Sequence, residues 1–314
     1  MFNLILNENM KIYRKVSTWI MIALIIVAVI LFGVILKIED KQNIEEPDWK
    51  VSLQQQNAQL EKDIAEGYMP EQFVQMQERT ILINEYRLEN ETPPMTKSVW
   101  SFTLEATPVI ALITLFTIIV GASSVASEFS WGTIKLLLIR PVSRTKILLS
   151  KYLSTILFAL FCLLILFVIS LAVGAILFGF DGFAQPYLTV IDGVVVEKTM
   201  LAHVLGQYGL SSINLIMMST FAFMISSIFR SSALSIGLAI FLMFTGVNVT
   251  SFIAMKFDWA KYILFANTDL SLYLEGMPVV EGMTMSFSIT MLIIYFVVFN
   301  ALSWWMFNKR DVAA

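Results

Sequence analysis

Apolar residues along the chain collect into six long runs, separated by segments in which polar and charged residues return. About 20 apolar residues are needed for a helix to cross a bilayer. The runs therefore predict spans at 18–36, 104–127, 151–180, 205–229, 233–255 and 284–307. The third is longer than a bilayer requires and is expected to tilt or to project beyond it. The fold class that follows is an all-α polytopic membrane protein. Residues 1–17 alternate at helical spacing, with Asn3, Asn7, Lys11 and Arg14 on one face and Phe2, Ile5, Leu6 and Tyr13 on the other. That pattern predicts an amphipathic helix in the membrane interface, the alternative being a frayed tail.

The polar segments differ in kind. Residues 37–103 hold 13 of the 24 acidic residues and predict a helical hairpin, 51–66 and 71–89, broken at Gly67-Tyr68-Met69-Pro70. Its acidity keeps it solvated and enforces topology; gating or substrate capture is the functional alternative. Residues 181–204 place β-prone Tyr187-Leu188-Thr189-Val190-Ile191 and Val194-Val195-Val196 around Asp192-Gly193, a hairpin signal. Residues 256–283 mix Trp259, Tyr262, Phe265 and Tyr273 with acids and predict a segment partly in the interface. Residues 308–314 form a short tail.

Composition removes the soluble alternatives. Of 314 residues, 57% are hydrophobic and 14% charged, and the mean hydropathy is +0.75. Soluble chains run at about 45–50% apolar and about 25% charged, so the excess apolar surface must face lipid. A soluble enzyme and a nucleic-acid binder are excluded as the main reading. One cysteine, Cys162, rules out an intramolecular disulfide; one histidine, His203, rules out a paired-histidine metal helix. Both are read as packing or interfacial residues, and no metal site is expected.

Charge sets the expected orientation. With both termini in the cytoplasm, the inner segments carry eleven basic residues against three acidic ones, Glu8, Glu128 and Asp311. The outer segments then hold ten basic and 21 acidic residues. The positive-inside rule selects this orientation over its inverse, which makes 37–103, 181–204 and 256–283 external. Trp19, Trp100, Trp131, Trp259, Trp304 and Trp305 fall near span ends, where aromatic belts lie. The first run is too long for a signal-peptide core, and Lys37-Ile38-Glu39-Asp40 follows it without a cleavage site, so it is expected to be retained.

The informative segment is the inner loop 128–150. A carboxylate, Glu128, and two aromatics, Phe129 and Trp131, stand at the span end. Gly132-Thr133 breaks the helix and can restart it, because threonine caps helices. A short apolar helix over 134–139 is predicted, stopped at Arg140-Pro141 because the residue before proline avoids the helical region. Such a helix, with no soluble domain to cover it, needs a partner or the interface.

The pattern Glu-x-x-x-Gly-Thr-x-x-x-Leu-Leu-x-x-Pro-x-Ser-Arg, from Glu128 to Arg144, with Leu148-Leu149-x-Lys151 after it, resembles the permease subunits of bacterial type-two ATP-binding-cassette (ABC) exporters. The resemblance extends over the chain, through the amphipathic start with Asn7-Glu8 and Lys11-Ile12 and the end from Phe307 to Val312. The long insertion after span one resembles a subgroup that includes sodium-efflux and peptide-antibiotic-resistance permeases. The resemblance implies that this loop is a coupling helix docking on an ATPase, with Glu128, Phe129, Trp131, Gly132, Thr133, Leu137, Leu138, Pro141 and Arg144 as its contact residues. It also implies a second permease copy or a paralogue, and a place in the bacterial cell membrane. The chain has no phosphate-binding Gly-x-x-x-x-Gly-Lys-Ser/Thr loop and no inner segment long enough for a nucleotide-binding domain. It is therefore expected to bind no cofactor itself, with ATP and Mg on the partner, and not to be an enzyme.

Polar residues within spans mark either a path or helix packing. In span two, Thr107, Thr114, Thr117, Gly121 and Ser124 share one arc; Ser212 and Asn214 in span four and Asn248 in span five are further candidates. Glu105 and Pro108 sit near the outer end of span two, Glu105 as a gate or an interfacial acid. No mid-span charge offers an ion or proton relay, so the expected substrate is amphiphilic: a lipid, a peptide antibiotic or a drug. Alternatives are an ATP-coupled sensor or immunity module that displaces an antimicrobial ligand from the outer leaflet, and a sodium-efflux permease.

Overall fold

The computed structural model describes residues 1–42, 48–68, 71–130, 132–133, 142–180, 185–191, 193–229, 231–274, 278–280 and 282–309. An N-terminal helix, α1 (Phe2–Tyr13), turns into α2 (Val16–Gln42). Helices α3 (Trp49–Ala65) and α4 (Glu71–Glu89) follow, then α5 (Val99–Glu105), a 3-10 turn at Thr107–Val109 and α6 (Ile110–Ser130). Beyond the loop come α7 (Arg144–Leu177), the hairpin β1 (Tyr187–Ile191) and β2 (Val194–Lys198), α8 (Met200–Ile228) and α9 (Ser232–Ala254). The chain closes with α10 (Leu264–Asn267), flanked by 3-10 turns, and α11 (Met285–Lys309).

Among the described residues, six helical segments are long and apolar enough to span a membrane: Val16–Asp40, Val99–Ser130, Arg144–Leu177, Met200–Ile228, Ser232–Ala254 and Met285–Lys309. The protein is an all-α multi-pass membrane protein. Span two begins earlier than its apolar run, because α5 adds a turn capped by a reciprocal Ser98–Ser101 box ahead of the Pro108 break. Span four also begins earlier, at Met200, and places His203 inside the helix.

α6 and α8 are the central pair. Lipid is as apolar as leucine, so close packing, not burial from water, holds such helices together. Gly121 lets α7 close on this pair: a Cβ there would meet Thr155 Cγ2 at 3.1 Å, while the Ser219 carbonyl of α8 stands at ordinary contact distance. The Ala126 amide donates to Ser226 Oγ at 3.0 Å. Ile113, Ile118, Phe158, Cys162, Leu166 and Leu215 are fully buried around this pair. The outer helices keep their apolar faces uncovered, at Leu24 and Leu31 of α2, Phe241 and Phe252 of α9 and Ile293 and Val297 of α11. These faces suit lipid.

The two ends of the bundle are unlike. At one lie α1, the end of α6, the start of α7 and the end of α11. Arg144 donates to the Asn308 carbonyl at 3.1 Å, and Trp304 Nε1 donates to Thr145 Oγ1 at 2.9 Å. The other end carries α3 and α4, joined by Asn84 Nδ2 donating to Asn57 Oδ1 at 2.8 Å. There Tyr86 donates to Glu197 of β2 at 3.2 Å, which ties the helical hairpin to the strands. Gly193, with φ +77°, supplies the β-turn geometry, and Ile191 pairs with Val194 across it; Asp192 lies outside the described residues. Asn267, fully buried, donates to the Lys261 and Ile263 carbonyls and accepts from Ser288 Oγ. It pins the stretch from Lys261 to Asn267 onto α11.

Candidate functional site: a buried charge clamp at the loop after span two

The amphipathic helix α1 places Glu8 and Lys11 one turn apart, so they share a face. Glu8 is the buried residue of that face. Lys151 lies two turns into α7, and Glu128 in the last turn of α6. The three helices converge, and these four side chains meet.

Lys151 is the centre. Only 2% of its side chain is exposed, and its ammonium donates to Glu8 Oε2 at 2.9 Å and to Glu128 Oε1 at 2.8 Å. Lys11 closes the ring, at 2.7 Å from Glu8 Oε1 and 3.3 Å from Glu128 Oε1. Two carboxylates and two ammonium groups leave the cluster neutral. That balance is what makes it tolerable: a buried ion needs both partners and hydrogen bonds to offset the loss of water. Burial of Lys11 works against its charge, but the hydrogen bond and attraction of Glu8, with the pull of Glu128, raise its pKa above the ordinary lysine value. Lys11 thus stays an ammonium throughout the physiological range.

The loop motif is fastened to this cluster. α6 ends at Ser130, and Gly132 takes φ +71°, a left-handed conformation that glycine adopts without strain. The chain turns back, and the Thr133 hydroxyl donates to Glu128 Oε2. Both Glu128 oxygens are therefore engaged within the chain. The Glu128 carboxylate thus joins α1, α6 and α7. Two further bonds hold α1 in place. Ser154 Oγ donates to the Ile5 carbonyl at 3.3 Å, and Thr18 Oγ1 donates to the Ile12 carbonyl at 2.6 Å.

The other motif residues divide clearly. Phe129 is half-buried and packs on the cluster around Val125, Ile147 and Phe223. Arg144 reaches the end of α11. Trp131, Leu137, Leu138, Pro141 and the short helix expected over 134–139 lie outside the described residues.

The candidate path residues are not gathered into one place. Thr114 and Thr117 are buried inside the chain, their hydroxyls donating to the Ile110 and Ile113 carbonyls of their own helix. Gly121 is the packing contact already described. Thr107 and Ser124 likewise donate to their own backbone, at Leu104 and Gly121. Ser212 and Asn214 are half-buried on α8, and Ser212 donates to the Gly209 carbonyl. Asn248 is exposed on α9, its amide donating to the Phe244 carbonyl. Glu105 pairs with Lys97 at 3.5 Å, which suits an interfacial acid; Pro108 opens the 3-10 turn. Cys162 is a free, buried thiol, and His203 stacks on Tyr187 with ring centroids 3.6 Å apart. Among the described residues, no group of His, Cys, Asp or Glu could hold a metal ion.

Glu8, Lys11 and Lys151 carry the site; the sequence places them in the amphipathic start and in the loop motif but does not bring them together. A signal was present: Glu8 and Glu128 are two of just three acids in the segments read as inner.

Residues 68–313 match the family described as "Protein of unknown function (DUF2705)". The chain is 45% identical over 322 aligned residues to the "Uncharacterized protein YhcI" of Bacillus subtilis (strain 168), with 100% of both chains covered. It is 34% identical over 204 residues to the "Uncharacterized membrane protein YdbK" of the same organism, covering 64% of this chain and 78% of the relative.

Proposed function

The chain belongs to the DUF2705 family, and we propose that it acts there as the membrane subunit of an ATP-driven exporter in the bacterial cell membrane, energised by a separate ATPase chain. The observation that supports this most is that the loop after α6 is anchored at both ends to the bundle. At its start Glu128 and Thr133 are locked to α1 and α7. At its end Arg144 and Thr145 are held by α11. A force applied between these anchors is delivered to four helices at once, including the central α6. That is the mechanical requirement for coupling a partner's closure to a change in the bundle.

In this reading the end carrying α1 faces the cytoplasm, and α3–α4 and the β-hairpin face outward. The moved substrate is amphiphilic, since the spans offer weakly polar groups and no mid-span charge. A second copy or a paralogue completes the transporter. An affinity-tagged chain purified in mild detergent from its bacterial membranes should retain a nucleotide-hydrolysing subunit in stoichiometric amount. Gly132→Val, which forces a β-branched residue into a left-handed turn at a cost of about 1–3 kcal/mol, should reduce that retention or the complex's ATP hydrolysis, whereas Gly132→Asn should not. Purification with no ATPase chain, or equal behaviour of both variants and wild type, would overturn the proposal.

A further inference from the structure

A cavity of about 460 Å³ opens between α1, α2, α6 and α7, directly beside the charge clamp. At the bundle end its wall carries Glu8, Lys11, Glu128 and Lys151, and their charges are spent on one another. Each oxygen of Glu8 faces a lysine, Glu128 Oε1 faces both lysines, and Glu128 Oε2 accepts from Thr133. Lys15, the remaining charge on the wall, is not free either. Among the described residues the wall therefore has no charge left over for an ion of either sign. An ionic ligand would give up its water without gaining a partner in return.

The hydroxyls of the wall are biased as well. A serine or threonine hydroxyl has one hydrogen to donate and two lone pairs with which to accept. Ser123 Oγ donates to the Val120 carbonyl at 3.0 Å, and Ser124 Oγ donates to the Gly121 carbonyl at 2.9 Å. Thr18 and Ser154, also on the wall, give their hydrogens to carbonyls of α1. With these hydrogens used inside the chain, the oxygens can only accept, so a ligand must bring the donors. Farther along α6 the wall turns apolar at Ile119 and Val120, with Met21 of α2. Ile119 is nine residues from Glu128, about 13 Å along the helix axis. The order along the cavity is thus paired charges, accepting hydroxyls, then apolar carbon. Beside it α1 leaves Phe2, Leu6 and Met10 exposed, and an amphipathic helix with such a face lies at headgroup level. The volume falls in the range of ligand sites, about 300–1,000 Å³.

We propose that this cavity binds an uncharged acylglycerol from the leaflet around α1, its free hydroxyls donating to Ser123 and Ser124 and its first acyl carbons lying against Met21, Ile119 and Val120. A glycerol head supplies the donors that the wall lacks and brings no charge for the clamp to accommodate. The site does not depend on the ATPase reading, because it needs only the bilayer and this chain.

Native mass spectrometry of the purified full chain tests the site with probes that share one acyl chain: monooleoylglycerol; methyl oleate, which has no hydroxyl; and the anionic phosphate ester of monooleoylglycerol. Wild type should retain monooleoylglycerol about tenfold better than methyl oleate, the worth of two hydrogen bonds, and better than the phosphate ester. Ser123→Ala/Ser124→Ala removes both acceptors, installs good helix formers and should bring monooleoylglycerol and methyl oleate to parity. Ser123→Phe fills the cavity and should weaken both. Should Ser123→Phe fail to fold, the alanine pair alone decides. Equal retention of monooleoylglycerol and methyl oleate by wild type, or a preference for the phosphate ester, overturns the proposal. An unchanged preference in the alanine pair, or undiminished binding by folded Ser123→Phe, does the same. So does displacement of the lipid by millimolar glycerol, which would make this a site for a free polyol.

Discussion

Lys151 is the residue whose removal the bundle end tolerates least. Its ammonium lies within 2.9 Å of two carboxylates and is shielded from water, so deleting it leaves Glu8 and Glu128 facing each other with only Lys11 between them. Breaking a buried pair by removing one partner costs about 3–5 kcal/mol. Lys151→Met should therefore lower the detergent-solubilised melting temperature sharply. Glu128→Gln should cost less, since Lys151 keeps Glu8. The double variant Lys151→Met/Glu128→Gln restores neutrality and should recover much of the loss, giving a non-additive cycle. Additive effects would mean that the two groups do not share one site. By the same geometry, Glu128→Lys would set three ammonium groups around a single carboxylate and disturb the bundle end itself. Sequence alone showed each of these residues but not their meeting. Glu128 and Lys151 are separated by a loop, and Glu8 is 143 residues from Lys151, so helical periodicity has no purchase on the contact.

At the scale of elements, periodicity was a sound guide wherever one helix or one turn decides the outcome. The α4 bounds and the β-turn at Gly193 follow from local chemistry, and both stand. The starts of spans two and four do not, because α5 and the first turn of α8 are held by capping and by packing against distant segments, not by an apolar run of their own. The stripe on α6 shows the same limit. Thr114, Thr117 and Gly121 do share a face, but a face alone cannot tell a path from a packing seam; the neighbouring helices decide that. With Thr117 fully buried and bonded to its own helix, Thr117→Leu overpacks the core and should destabilise the protein by about 1–3 kcal/mol. Thr117→Ser, which keeps the hydroxyl and removes bulk, should fold with a far smaller loss. Asn248→Leu on the exposed face of α9 should leave the melting temperature within experimental error. If Thr117→Leu melts like wild type but abolishes transport, the stripe lines a path after all.

For the whole molecule the decisive quantity is the difference between its two ends. One end gathers α1, the loop and the clamp; the other holds an acidic helical hairpin packed on a β-hairpin. Positive residues near span ends resist translocation far more than acidic ones promote retention, and eleven basic residues against three acidic ones is a large bias. The chain should therefore insert with α1 inside. Single cysteines report this directly, in a Cys162→Ser background; Cys162 is fully buried and contributes little labelling itself. Gln75 is exposed on α4, and Ser143 is exposed just before α7. Gln75→Cys should react with an impermeant maleimide on intact cells. Ser143→Cys should react only after the membrane is opened, and more slowly if a bound ATPase covers the loop. Adding excess Mg-ATP to opened membranes should then change the Ser143→Cys rate and leave Gln75→Cys unaltered, since only the inner loop meets the partner. Labelling of Ser143→Cys on intact cells would invert the orientation and with it the coupling role of the loop. A correct orientation with no response to Mg-ATP would keep the topology and remove the support for an ATPase docked at Glu128–Arg144.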